Sequence, residues 1–189
     1  PQLEDSLSVW YEELVKYGQA LIRLRREFIE SLQEKLIRIH RNISGGREEL
    51  VLSYEENVKE EAFLESVLRA RETEKKQKIS LVGPHRDDLL FKINGEDIRK
   101  FGSQGQKRTA ALSLKLAEIE LVKEKIEHYP ILHLDDVFSE LDKKRQNFLL
   151  DEISDVQSII TCTGLEDLIE NRFPIDKLFY VEGGKIECP

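Results

Sequence analysis

Apolar positions recur at steps of three and four through the first part of the chain: Trp10, Leu14, Tyr17, Leu21, Leu24, Phe28, Leu32, Leu36, Ile39 and Ile43. That spacing places one apolar stripe along one face of a helix. The predicted helix runs from about residue 6 to about residue 43, roughly 57 Å at 1.5 Å per residue. Asn42-Ile43-Ser44-Gly45-Gly46 ends it, since glycines close helices in the left-handed region. Tyr54, Val58, Ala62, Val67 and Leu68 then begin a second helical pattern, which enters the polar stretch 69–78. A long helix, a break and a returning helix predict an arm or lid. The second helix is too short to cover the stripe, so the stripe is expected to pack on other helices as well.

From residue 79 the pattern changes. Ile79-Ser80-Leu81-Val82 and Leu89-Leu90-Phe91-Lys92-Ile93 read as strands, and Asn94-Gly95 is a hairpin turn. A periodic helix is predicted from about residue 103 to 127. Pro130 ends the approach to Ile131-Leu132-His133-Leu134-Asp135-Asp136, a buried strand of a parallel sheet. His133, inside that run, is expected to be a buried, packed histidine. A helix over 142–153, a second buried strand over 156–162 and a hairpin around Gly183-Gly184 complete the pattern. The fold class is α/β, with a helical arm or lid domain over 1–78 and an α/β lobe over 79–189.

Composition narrows the function classes. The chain has 189 residues, 35% charged and 40% hydrophobic, with a net charge of −8. No apolar run approaches the ~18 residues of a membrane span, and the start lacks the basic-then-apolar order of a signal peptide. Cys162 and Cys188 are the two cysteines, too few for a disulfide framework, so a reducing cytoplasmic setting is expected. A charge of −8 argues against a DNA binder, but distribution matters more than the sum. Residues 21–41 hold Arg23, Arg25, Arg26, Lys35, Arg38 and Arg41 against Glu27, Glu30 and Glu34, a local balance of +3. These cations make either a solvated helix face with ion pairs one turn apart or a DNA contact by Arg23, Arg25, Arg26, Lys35 and Arg38.

Two segments carry candidate chemistry. Asp135 and Asp136 stand at the C-terminal end of a predicted strand, where open α/β sheets place their ligands. Two acids there suit a magnesium-nucleotide site, one linked to the metal and one orienting water. The structural alternative is a strand followed by a helix cap. Gly102-Ser103-Gln104-Gly105-Gln106-Lys107-Arg108 opens the helix just upstream. Glycines and a serine at a helix start expose N–H groups at the positive end of the dipole, which favours phosphate. The structural alternative is a glycine-containing loop with a serine cap. The pairing of this turn with the Asp-Asp strand is stronger evidence than either alone.

Ser103-Gln104-Gly105-Gln106 resembles the signature motif of ATP-binding-cassette ATPases in its DNA-repair variant. Residues 131–136 resemble their Walker B strand, and Ser139-Glu140-Leu141-Asp142 their D-loop. Gly83-Pro84-His85-Arg86-Asp87-Asp88-Leu89-Leu90-Phe91 resembles the RecF family, bacterial recombination-mediator ATPases related to the SMC proteins. The ordered match covers 79–189 and implies the C-terminal lobe of an ATP-binding-cassette head preceded by a helical arm. No Gly-x-x-x-x-Gly-Lys-Ser/Thr occurs in the chain. That loop cradles phosphates, so at most half of an ATP site is expected here, the C-terminal part of a protein whose P-loop half is elsewhere.

The resemblance implies that Ser103, Gln104, Gly105, Gln106 and Arg108 meet ATP held by a second subunit. It implies Asp135 as the magnesium-linked acid, Asp136 as the catalytic residue that positions water, and Ser139 and Asp142 as a contact between subunits. Thr161 or Thr163 falls where transporter relatives carry a histidine, and slow hydrolysis is expected. The implied partners are DNA, RecR with RecO, and a second copy in an ATP-dependent homodimer that helps load recombinase at gaps during DNA repair. The Gly83 block is either a structural ion-pair knot or a coupling element between DNA and ATP. Two other function classes stand beside this one: a helical interaction scaffold with an inactive ATPase-like lobe, and a DNA-binding module indifferent to nucleotide.

Overall fold

The periodic first part forms one helix, α1 (Gln2–Ser44), in the computed structural model of the chain, which describes residues 2–163 and 174–188. Its end is a glycine cap: Gly45 adopts φ +68°, and the Gly46 N–H reaches back to the Arg41 carbonyl at 2.7 Å. The stripe does not lie on one buried face. Leu32, Leu36, Ile39 and Ile43 are buried, whereas Trp10, Leu14, Tyr17, Leu21, Leu24 and Phe28 are exposed. The first half of α1 instead buries Ile22, which shares a core with Val58, Phe63 and Val67, flanked by Tyr11, Val15 and Tyr54. The switch of face reflects two different partners along one helix.

The second helical pattern starts later than its spacing predicts. Residues 50–55 form strand β1 (Leu50–Glu55), and only then does α2 (Phe63–Gln77) follow, after a short 3-10 turn at Glu60–Ala62. β1 pairs antiparallel with β2 (Asp88–Ile93) from Leu50 opposite Ile93 to Glu55 opposite Asp88. The strand expected over 79–82 is absent. There the N–H groups of Leu81 and Val82 donate to the Glu74 carboxylate at 2.6 and 3.3 Å, in place of a ladder. Asn94 (φ +51°) and Gly95 (φ +87°) make the hairpin turn from β2 to the short β3 (Glu96–Asp97).

A one-turn helix, α3 (Ile98–Phe101), leads through Gly102 to α4 (Gln104–Ile126). Gly102 is required by close approach: a Cβ there would lie 2.5 Å from the Ile98 carbonyl oxygen. α4 packs along α1. The bridging pairs His40–Ser113, Arg38–Glu120 and Lys35–Glu124 run in opposite senses along the two helices, so they are antiparallel. α4 buries Ala110, Leu112, Leu116, Ala117 and Leu121. These pairings join elements on both sides of residue 78 in one unit, and the chain divides at residues 128 and 129 instead.

The second unit, residues 129–189, holds β4 (Leu132–Asp135), α5 (Lys143–Glu152) and β5 (Ser158–Thr161). β4 and β5 are parallel, with Leu132 opposite Ser158 and Asp135 opposite Thr161. Among the described residues its buried apolar side chains are Leu134, Phe138, Leu149, Leu150, Ile153 and Val156. His133 is exposed, contrary to the buried position expected of it. Side chains alternate across a strand, and the inward position here is Leu134. A hairpin, β6 (Tyr180–Glu182) and β7 (Lys185–Glu187), turns at Gly183 and Gly184.

Candidate nucleotide-contacting turns

The turn before α4 is built by a reciprocal cap. Ser103 is the N-cap; its Oγ accepts from the Gln106 N–H at 3.2 Å, and its own N–H donates to Gln106 Oε1 at 2.9 Å. The first-turn N–H groups of a helix have no acceptor within it. The cap takes that of Gln106, which leaves those of Gln104 and Gly105 at exposed positions. Because Ser103 Oγ already accepts, its hydroxyl proton is available to an anion. Among the described residues a Cβ at Gly105 would meet only Ser103 Oγ, at 3.9 Å, so no packing among them demands glycine there. Arg108 is exposed on the next turn. Lys107 and Arg108 add positive charge to the dipole's positive end.

In the second unit the two acids have different roles in the backbone. Asp135 ends β4, and one of its carboxylate oxygens accepts the Thr161 hydroxyl proton. Asp136 sits in the left-handed region at φ +51°. Its N–H is held by both the carbonyl and Oγ1 of Thr161, each at 3.1 Å. Such a backbone costs about 1–3 kcal/mol where it occurs and clusters at functional turns. Ser139 closes the turn by donating to the Asp136 carbonyl at 2.9 Å. Asp142 caps α5 by accepting from the Arg145 N–H at 3.0 Å, which with the Arg145 side chain holds its carboxyl below the usual range. Gln146 donates to the Phe138 carbonyl at 2.9 Å and ties α5 to the turn.

The sequence leaves Thr161 and Thr163 as the two threonines that fall near the phosphates by resemblance. Thr163 is exposed beyond β5, and it is Thr161 that touches Asp135 and Asp136. The parallel register is the signal: Thr161 lies opposite Asp135. Asp135 and Asp136 are exposed. One carboxylate supplemented by phosphates and water is the usual magnesium donor set, so the residues fit that ion. Among the described residues no cluster of three or more His, Cys, Asp or Glu could hold a metal without such help.

Five cations of α1 are matched by acids from other elements. Arg23 faces Glu60 at 2.7 Å, Arg26 faces Glu56 at 2.7 Å, Lys35 faces Glu124 at 2.8 Å, Arg25 reaches Asp87 at 3.3 Å, and Arg38 pairs with Glu120. These pairs are long-range rather than one turn apart along α1. The Glu56 contact raises the Arg26 pKa further. Asp87 is the junction of the Gly83 block: it accepts from the Tyr54 hydroxyl and, at 2.8 Å, from the Asn57 N–H. Burial, then the Asp87 contact, pushes the Tyr54 hydroxyl up to about 12. Arg86 and His85 turn instead to the Ser80 carbonyl. Asp88 pairs with Arg99, which with the Leu89 N–H brings its carboxyl down to about 2. The block therefore ties α1, β1 and the 80–88 loop together.

Comparison with known proteins gives a consistent picture. No family model matches the chain. It is 54% identical over 187 residues to the DNA replication and repair protein RecF of Agathobacter rectalis, covering 99% of this chain and 52% of that protein. It is 52% identical to the RecF of Lachnoclostridium phytofermentans, covering 98% of this chain and 51% of that one. The chain spans about half the length of the curated relatives it matches. Among solved structures it resembles the recombination mediator protein RecF bound to ATP in the RecFOR pathway, with TM-score 0.82 and 32% identity, over 98% of this chain and 50% of that one. A companion RecF structure, described with ATPrS, gives TM-score 0.81 at 33% identity, over 98% of this chain and 51% of that one. No helix of the described residues is long and apolar enough to cross a membrane.

Proposed function

We propose that the chain, which resembles RecF over the half of its relatives' length that it spans, supplies the signature, Walker B and D-loop segments of a recombination-mediator ATPase acting in DNA repair. The observation that carries this reading is the exposed, capped turn at Ser103. It offers a hydroxyl proton and the first-turn N–H groups of Gln104 and Gly105 to an anion at the positive end of α4. A P-loop lobe, joined to this chain or carried separately, holds the ATP. Ser103 and Gly105 of one subunit meet the terminal phosphate held by the other, with Arg108 beside them and Gln106 keeping the turn in shape. ATP then links two copies, and its hydrolysis releases them.

Asp135 would hold magnesium, which would neutralise phosphate charge there. Asp136 accepts a hydrogen bond from the attacking water and orients it. Thr161 holds both acids through its hydroxyl and carbonyl. A threonine is no base near neutral pH, so turnover is slow and switch-like. Ser139 and Asp142 shape the turn that faces the second subunit. The remaining assignments follow the family: DNA near gaps as the substrate surface, RecR with RecO as partners, recombinase loading as the outcome and the cytoplasm as the place.

A DNA module built on Arg23, Arg25, Arg26, Lys35 and Arg38 has less support, since each already faces a carboxylate. DNA contact by these side chains requires exchanging those acids for phosphates. The test of the main reading uses Ser103→Arg in the assembled ATPase. A bulky cation in the turn is expected to abolish ATP-dependent doubling of mass while ATP binding by the single subunit persists. Doubling at the normal ATP concentration would overturn the cross-subunit role. Equal mass with and without ATP in the unaltered assembly would favour the scaffold reading.

A further inference from the structure

The signature turn is connected to a buried histidine that the mechanism above does not use. His40 of α1 is 0% exposed. A buried imidazole needs a partner at each ring nitrogen. Nδ1 lies 3.1 Å from Ser113 Oγ, and Ser113 gives its own hydroxyl proton to the Thr109 carbonyl at 2.7 Å. The serine oxygen therefore accepts, and Nδ1 carries a proton. Nε2 lies 3.2 Å from Glu48 Oε2. A carboxylate only accepts, so the pair is satisfied when Nε2 is protonated too. With a proton between Nε2 and Glu48 Oε2, every group of this set has its hydrogen bond.

The other oxygen of Glu48 faces the signature turn. Glu48 Oε1 accepts from Gln106 Nε2 at 3.1 Å. The same Gln106 side chain takes the Ser103 N–H on its oxygen at 2.9 Å. One continuous chain of hydrogen bonds thus runs from α1, through the loop after it, to the cap of α4. Glu48 selects the orientation of the Gln106 amide: nitrogen toward the carboxylate, oxygen toward Ser103. With the amide reversed, oxygen would face carboxylate and nitrogen would face N–H, and both contacts would repel.

We propose that Glu48 and His40 are positioning residues for the signature turn, setting through Gln106 the geometry in which Ser103 meets a nucleotide phosphate. The proposal rests on the reading of Ser103 given above. Neither residue touches the nucleotide. Glu48 fixes the amide, and His40, anchored by Ser113, fixes Glu48.

The experiment compares Glu48→Ala, Glu48→Gln and Ser113→Ala in the assembled ATPase, with Ser103→Arg as the control. Glu48→Ala is expected to raise the ATP concentration for half-maximal dimerisation about tenfold, the scale of one charge-assisted hydrogen bond. ATP affinity of the single subunit stays unchanged, because that nucleotide is held by the P-loop lobe. Without nucleotide, hydrogen exchange at the Ser103 amide speeds up. Glu48→Gln, which keeps an oxygen for Gln106, recovers most of both effects. Ser113→Ala removes the far anchor and shifts dimerisation the same way by less; it decides the matter if Glu48→Ala does not fold. Normal dimerisation and normal Ser103 exchange in the folded Glu48→Ala variant, or in Ser113→Ala alone if that is the folded one, overturn the proposal. If Ser103→Arg fails to dimerise and these variants do not differ from the unaltered protein, only the positioning role falls. If Ser103→Arg dimerises normally, the reading beneath it falls as well.

Discussion

A Cβ built on Gly18 would lie 2.3 Å from Cε1 and 2.7 Å from Cζ of Phe63, a ring with 0% exposure. Gly18→Ala raises intrinsic helix preference by about 1 kcal/mol. Overpacking a fixed ring costs about 1–3 kcal/mol, so the clash wins. The variant is expected to unfold at lower denaturant, measured as a drop in the urea midpoint. Sequence spacing could not reveal this, since a glycine within a helical pattern reads only as a weak position. The Ser103 cap was legible, because serine with glutamine three residues later is a local signature. The His40 connection was not: its Ser113 partner is 73 residues away, and a lone histidine in an apolar stripe says nothing of what it meets.

At the scale of elements, α1 carries two different faces. Leu36 is buried where α1 meets α4, and Leu24 is 59% exposed. Leu36→Ala is expected to destabilise this chain by about 2–5 kcal/mol through the cavity it leaves. Leu24→Ala is expected to stay within about 0.5 kcal/mol. Chemical denaturation of both variants measures the contrast, and equal effects would mean that the exposed face is packed in solution. Helices α4 and α5 were readable from caps and periodicity, within a residue or two. β1 was not, because Tyr54 and Val58 fall at a helical interval while Leu50, Leu52 and Tyr54 alternate at a strand interval. Pairing with β2 decides between them. The 79–82 segment failed in the opposite sense: its apolar run had no strand to join, and Glu74 satisfies its N–H groups instead.

For the molecule as a whole, the proposed chemistry is divided between its two units. The turn proposed to face phosphate belongs to residues 1–128, and the paired acids belong to 129–189. Neither holds a P-loop, so the proposed turnover requires an assembly. The order of motifs made the family legible in the sequence, while the backbone at Asp136 did not appear there at all. That backbone determines which substitutions are informative. At φ +51°, asparagine and glycine sit comfortably, whereas a β-branched residue brings strain of its own. Asp136→Asn therefore changes charge and leaves shape alone. In the assembled protein it is expected to slow phosphate release about 10²–10⁴-fold, while ATP-bound dimers persist and live longer on a mass measurement. Dimers that form but turn over at the normal rate would remove Asp136 from the chemistry. Asp136→Val would confound the two effects, since a twisted loop and a missing carboxylate look alike in a rate. The left-handed turn makes this one position a switch that can be jammed without being bent.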